Sequence, residues 1–174
     1  SSDWSSDVCS SDLGVFSSAA RVIEGEYSTG FQEQLYMETQ GLMVHPDKEA
    51  GRVTIEGSMQ CPYYVKHALE HVMGEAAAVR VRQATTGGGF GGKEDYPEIM
   101  GAPLAVAAWT IGKPLRMIFD RSEDLAWTSK RHPSRTRVRT AHDESGRILA
   151  FDFEVTLDGG AYESYSLIVL QRAM

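Results

Sequence analysis

Residues 21–28 alternate loosely between apolar and polar side chains, the period of a half-buried strand. Residues 42–45 and 52–57 are short apolar or alternating runs, and Pro46, Asp47 and Gly51 between them mark a turn, so together they predict a β-hairpin. Pro62 stands where a helix can begin without a backbone N–H. Tyr64, Val65, Ala68, Leu69, Val72 and Met73 then fall on one helical face until Gly74. Residues 78–84 alternate Val79 and Val81 with Arg80 and Arg82, a strand pattern that runs straight into a glycine-rich segment. Past that segment, residues 98–111 are alanine-rich and apolar on several sides, as a buried helix is, and Pro103 predicts a late start or a kink. Gly112, Lys113 and Pro114 end it; residues 115–119 read as a buried strand, and residues 122–124 open a short helical turn. Residues 136–140 and 148–158 predict two long strands about a turn at 143–146, after which Gly159 and Gly160 release the chain into a helix. Strands and helices mix without strict βαβ alternation, so the fold class is α+β, a mixed sheet with packed helices.

Composition narrows the setting. The chain has 174 residues, 42% apolar and 24% charged, which is the size of one ordinary domain with a sizeable core. A net charge of −7 gives no pull toward nucleic acid or an anionic membrane. No run of apolar residues is long enough to span a bilayer, and the N-terminus lacks the basic and apolar regions of a signal peptide. Two cysteines, Cys9 and Cys61, define no disulfide framework, so a cytoplasmic setting is the default, with a periplasmic one left open because the native N-terminus is expected to be missing. Residues 1–13 repeat Ser-Ser-Asp at irregular spacing, unlike any structural period, and are expected to be a non-native leader outside the fold. Without Asp3, Asp7 and Asp12 the net charge of −7 becomes −4. At the other end, residues 164–174 stop without a cap, a glycine or a polar tail, so residues 14–174 are expected to be the N-terminal part of a longer domain.

The chemistry concentrates in Gly87-Gly88-Gly89-Phe90-Gly91-Gly92-Lys93-Glu94. Its five glycines remove nearly every Cβ and let backbone N–H groups approach a bulky polar or anionic ligand. Gly87, Gly89 and Gly92 spell a dinucleotide-binding fingerprint after a strand, although Pro97 interrupts the helix such a fingerprint requires. Gly87, Gly92 and Lys93 spell a phosphate-binding P-loop up to its last position, where Glu94 replaces the Ser or Thr that would ligate magnesium. A structural glycine turn with no ligand is the third reading.

Taken in order along residues 21–174, several segments resemble the molybdenum-cofactor-binding subunit of the xanthine dehydrogenase/aldehyde oxidase family, the molybdenum hydroxylases. They are Gln32-Glu33-Gln34-Leu35-Tyr36-Met37-Glu38, Ser58-Met59-Gln60, residues 87–94, Gly112-Lys113-Pro114-Leu115-Arg116, Asp120-Arg121-Ser122-Glu123-Asp124 and Arg131-His132-Pro133. The resemblance implies oxidative hydroxylation of a purine, another N-heterocycle or an aldehyde, with water as the oxygen source. It implies a molybdenum–molybdopterin cofactor, in the cytosine dinucleotide form, with FAD and 2Fe–2S clusters on partner subunits or domains. Phe90 would wall the metal site, with the Gly89 and Gly91 backbone close to the cofactor. Gln60 would hydrogen-bond an oxygen ligand of molybdenum as a neutral donor, so Gln60 and Phe90 would stand around the metal without ligating it. Glu94 matches a carboxylate that orients substrate, against the alternative of an ion pair with Lys93 or a nearby arginine. The family's general-base carboxylate matches nothing in residues 21–174, so the chain alone is expected to be inactive.

Two further patterns read more plainly. His67 and His71, with Glu70 between, spell a zinc-protease motif, but they lie opposite Val65, Leu69 and Val72 on the face expected to be wet, and no third ligand announces itself. Arg135, Arg137 and Arg139 share one strand face and are expected to be solvated or paired with acids. Tyr162 and Tyr165 read as core or interface aromatics.

Overall fold

The structure is a computed structural model that describes residues 4–5 and 13–173. Apart from Trp4, Ser5 and Leu13, the expected leader lies outside the described residues. In chain order the elements are β1 (Trp4–Ser5), α1 (Leu13–Ser18), β2 (Arg21–Thr29), β3 (Gly41–Asp47), β4 (Arg52–Gly57), α2 (Pro62–Met73), β5 (Ala78–Gln83), α3 (Tyr96–Ile111), β6 (Leu115–Ile118), α4 (Arg121–Trp127), β7 (Ser134–His142), β8 (Ile148–Leu157) and α5 (Ser166–Ala173). They form two compact units, one running Glu33–Lys130 and the other comprising the chain up to Gln32 and from Arg131 onward. Each has a four-stranded sheet with helices, the α+β class expected from the pattern. Among the described residues no helix is long and apolar enough to cross a membrane.

In the Glu33–Lys130 unit the strand order is β5-β4-β3-β6. β3 and β4 form the expected antiparallel hairpin, while β4 and β5 run parallel, with α2 as the connection between them. Alternation works as it should: Leu42, Val44, Val53 and Ile55 are buried while Met43 and His45 are exposed. The buried residues meet Val65, Leu69 and Met73 of α2 and Met100, Leu104, Ala105 and Ala108 of α3 in one core. Each large aliphatic side chain buried this way contributes about 1.5–3 kcal/mol. Gly101 lets α3 lie close to the sheet, since a Cβ there would stand 2.8 Å from Ile55 Cδ1.

Three expectations need correction in this unit. Val72 is exposed, because the stripe on α2 repeats at every fourth residue and Met73 closes it. α3 starts at Tyr96, two residues earlier than expected, because Pro97 occupies the first turn, where the missing N–H costs nothing. The helix then runs on through Pro103, so no late start occurs. β6 pairs only with β3, at the sheet edge, and Arg116, Met117 and Ile118 are exposed where a buried strand was expected. The short helix after it is set by a capping box, in which Asp120 and Glu123 each accept the other's backbone N–H.

The second unit is an antiparallel sheet of order β1-β8-β7-β2. Its register aligns Glu24 with Arg139 and Asp152, and Arg139 pairs with both acids at 2.8 and 3.7 Å. Arg135 pairs with Glu26, so the arginine stripe is matched largely within its own sheet. His132 shares a hydrogen bond of 2.8 Å with Ser166 Oγ at the start of α5. Tyr162 is 90% exposed, which excludes it from the core of this unit.

Candidate functional site

Because β4 and β5 are parallel, their carboxyl ends emerge at the same sheet edge, with Gly57 opposite Gln83. Ligands of open α/β sheets gather outside such ends. The chain leaves β4 through Ser58, Met59 and Gln60 into α2, and leaves β5 through Ala84 into the glycine loop. Three bonds stitch these exits together: Ala84 N to Gly57 O at 2.9 Å, Gln83 Nε2 to Met59 O at 2.6 Å and Thr86 Oγ1 to Met59 O at 3.3 Å. The topology therefore delivers Gln60 to the loop.

The loop turns tightly on itself. Gly92 N donates to Gly89 O at 2.7 Å across Phe90 and Gly91, which stand at φ 49° and 88°. Both central residues at positive φ are the signature of a type I′ turn. For a bulky residue this is an outlier that costs about 1–3 kcal/mol and points to function. Phe90 carries its ring 76% exposed. The Gln60 side chain is fixed by the loop, since its Oε1 accepts from Gly91 N at 3.0 Å and Lys93 N at 3.1 Å. Two backbone donors on one atom settle which end of the amide is oxygen. Nε2 is thereby left as a pair of donors with no partner among the described residues. A Cβ added at Gly89 would stand 2.6 Å from Gln60 Cδ, so a larger residue there would push the Gln60 amide off its two bonds. The N–H groups of Gly88, Gly89 and Phe90 likewise find no acceptor among the described residues. Consecutive unspent donors of this kind make an anion-accepting concavity.

Beneath the loop lies a polar network that the sequence did not announce. Lys93 is fully buried, and its Nζ donates to Glu38 Oε2 at 2.9 Å and Ser58 Oγ at 3.0 Å, 4.8 Å from the centre of the Tyr36 ring. Glu38 Oε2 also accepts from Gly87 N at 2.7 Å. Burial raises the Glu38 pKa, but the bonds from Lys93, Ser58 and Gly87 and the charge of Lys93 outweigh it and leave the carboxyl below its ordinary value. Tyr36 donates to buried Asp124 at 3.0 Å and accepts from Gln40 at 3.0 Å, and Gln40 Nε2 also reaches Gly92 O at 2.6 Å. Burial pushes the Tyr36 phenol well above its usual range. Arg121 holds Asp124 at 3.4 Å and the carbonyls of Tyr36 and Met37 at 2.8 and 2.7 Å.

Gln60, Gly89, Phe90 and Gly91 are thus brought together, and Glu94 follows, half-buried, one residue beyond Lys93. Lys93, weighed as a partner of Glu94, gives its ammonium to Glu38 and Ser58. The zinc-protease pattern sits on the exposed face of α2, where His67 and Lys66 both approach Glu70, at 3.7 and 3.3 Å. Among the described residues no group of three or more His, Cys, Asp or Glu is placed to hold a metal ion. No local signal tied Glu38 to Lys93, because 55 residues separate them.

A glycine loop with unspent donors, set at the carboxyl ends of parallel strands, is the arrangement in which open α/β sheets hold anionic ligands. The molybdopterin cofactor-binding domain family matches residues 7–174, and the chain belongs to it. Aldehyde oxidase 2 of Cavia porcellus is 34% identical over 158 residues, covering 90% of this chain and 12% of that protein. Xanthine dehydrogenase of Oryza sativa is 35% identical over 155 residues, covering 88% of this chain and 11% of that protein. The chain therefore spans a small part of the curated relatives it matches. Among solved structures, quinoline 2-oxidoreductase from Pseudomonas putida superposes with a TM-score of 0.68 at 26% identity, over 86% of this chain and 19% of that one. Aldehyde oxidoreductase from Desulfovibrio desulfuricans gives a TM-score of 0.69 at 28% identity, over 86% of this chain and 16% of that one.

Proposed function

We propose that the loop of residues 87–93, with Gln60, forms one wall of a molybdenum–molybdopterin site in an enzyme that oxidatively hydroxylates a purine, another N-heterocycle or an aldehyde. The observation that carries this reading is the set of unspent donors, the N–H groups of Gly88, Gly89 and Phe90 and the Nε2 of a Gln60 whose oxygen is already occupied. They fit an electron-rich group with several oxygen ligands. Gln60 would donate to one such oxygen. Gly91, where an added Cβ would meet nothing within 4 Å, leaves room for the pterin. The exposed Phe90 ring would wall the metal and exclude water beside it. None of these groups is a direct metal ligand. Glu94 would accept an N–H of a heterocyclic substrate and orient it.

When bound, the cofactor supplies two-electron redox chemistry with water as the oxygen source. In the net reaction a C–H bond becomes C–OH, water provides the oxygen, and two protons and two electrons depart. FAD and 2Fe–2S clusters on partner subunits or domains would accept those electrons. The substrate range draws on relatives named for an aldehyde, xanthine and quinoline. The nucleotide-binding alternative is disfavoured by Lys93, whose ammonium would have to leave Glu38 and Ser58 to meet a phosphate.

Metal and pterin analysis of the complete protein tests the proposal, with the protein expressed alongside its partner subunits in a host that makes the cofactor. Near-stoichiometric molybdenum is expected, lost when Gln60→Ala and Phe90→Ala are combined. A well-folded complex without molybdenum would overturn the reading.

A further inference from the structure

We propose that Lys93 is the positioning residue of the loop, clamped from below by Glu38 and Ser58 so that it holds the Gln60 amide in its donating orientation. The proposal rests on the cofactor reading for its purpose, while its geometry stands alone. Glu38 Oε2 receives Gly87 N at 2.7 Å and Lys93 Nζ at 2.9 Å, so the first and last residues of the loop meet on one oxygen atom. The backbone of Lys93 brackets Gln60 on both sides. Its N–H donates to Gln60 Oε1 at 3.1 Å, and its C=O accepts from Gln60 N at 2.7 Å. Wherever Lys93 stands, the glutamine follows.

The anchorage is itself rigid. The Tyr36 ring that faces the ammonium is tied through its hydroxyl to Asp124 and Gln40, and a Cβ at Gly92 would stand 2.5 Å from that ring. A buried ion pair adds little net stability, because desolvation offsets the attraction, and what such a pair provides best is a defined geometry. Lys93 is fully buried, yet the Glu38 side chain is 43% exposed. The two partners are therefore not equivalent. With Lys93 removed, Glu38 can rehydrate and still accept Gly87 N. With the Glu38 charge removed, an ammonium is stranded under the loop with Ser58 and an aromatic face.

Amide hydrogen exchange in the complete protein reads this asymmetry, in cofactor-free and cofactor-loaded samples. Glu38→Gln is expected to speed exchange in residues 86–95 by about tenfold or more, with the β3–β4 hairpin unchanged, and Lys93→Met by less. The double variant, free of a stranded ammonium, should resemble Lys93→Met. In loaded protein, molybdenum content should fall in the same order. The paramagnetic resonance of the metal should also shift in Glu38→Gln in the direction produced by Gln60→Ala. Unchanged loop exchange in both single variants, or a rise matched by the hairpin, would overturn the proposal. If Glu38→Gln does not fold, a folded double variant with wild-type loop exchange overturns it instead. A wild type without molybdenum would remove the cofactor reading, while the exchange order would still judge the clamp.

Discussion

Two turns in this molecule are closed by a carboxylate, and they are built in opposite ways. In the β7–β8 hairpin, Asp143 accepts from Ser145 N at 2.9 Å, Ser145 Oγ at 2.6 Å and Arg147 N at 3.0 Å, all through Oδ1, while Gly146 takes φ 86°. Every partner lies within four residues, so the turn solves itself locally and needs nothing from the rest of the fold. The glycine loop is closed by Glu38, whose partners Gly87 and Lys93 stand 49 and 55 residues away. That closure exists only once the sheet has placed the segment before β3 beneath the exit of β5. A local device shapes a connection, whereas a long-range one can hold a site in register with the core.

The contrast is broken most severely at the glycines. Gly92→Ala should cost about 3 kcal/mol, the upper part of the range for forcing atoms into packed space. Its Cβ would stand 2.5 Å from a Tyr36 ring that cannot yield without breaking its bonds to Asp124 and Gln40. Gly146→Ala meets open space and has only its positive φ to oppose it, so about 1 kcal/mol is expected. Thermal unfolding of the two variants measures the difference, and equal losses would mean that the loop is no more tightly packed than the hairpin turn.

The closing carboxylates come next. Glu38→Gln should cost about 2 kcal/mol, less than for a wholly buried pair because Glu38 is part-exposed, yet substantial because Lys93 is stranded. Asp143→Asn should cost less than Glu38→Gln, since no buried charge is stranded and an amide oxygen still accepts from the turn.

The same division explains what the sequence could disclose. The hairpins, the Pro62 helix and the arginine stripe follow from periodicity and turn residues over a few positions, and the structure has them where the pattern puts them. Errors arose where tertiary context decides: Val72 against Met73 at the edge of a helical stripe, and β6 at a sheet edge. Pro97 was read as a helix breaker although a first-turn proline favours a start. The meeting of Gln60 with the loop was accessible only by resemblance, because it depends on β4 and β5 lying parallel and adjacent. Glu38 was visible as part of a matching segment, but nothing in a single sequence pairs a glutamate with a lysine so far along the chain.

The finest distinction lies in how the two carboxylates titrate once their partners are removed. Both lie below their ordinary values, Asp143 chiefly through the Ser145 hydroxyl, Glu38 because its bonds and the Lys93 charge overcome burial. The sign is the same for both. Each contributes stability that is present above the unfolded carboxylate range of ~4 and is lost as pH falls through the lowered folded value. Ser145→Ala should bring Asp143 only part of the way back toward its ordinary value, because the backbone N–H groups of Ser145 and Arg147 still hold it down. Lys93→Met should bring Glu38 up toward its ordinary value as it rehydrates, with the bonds from Ser58 and Gly87 still opposing what burial remains. The Glu38 contribution would then shrink while keeping its sign, present above the unfolded range and lost as pH falls. Carboxyl titration by nuclear magnetic resonance in the two variants resolves this. A Glu38 raised beyond its ordinary value would show that the loop stays closed over it and that it does not rehydrate when Lys93 is lost.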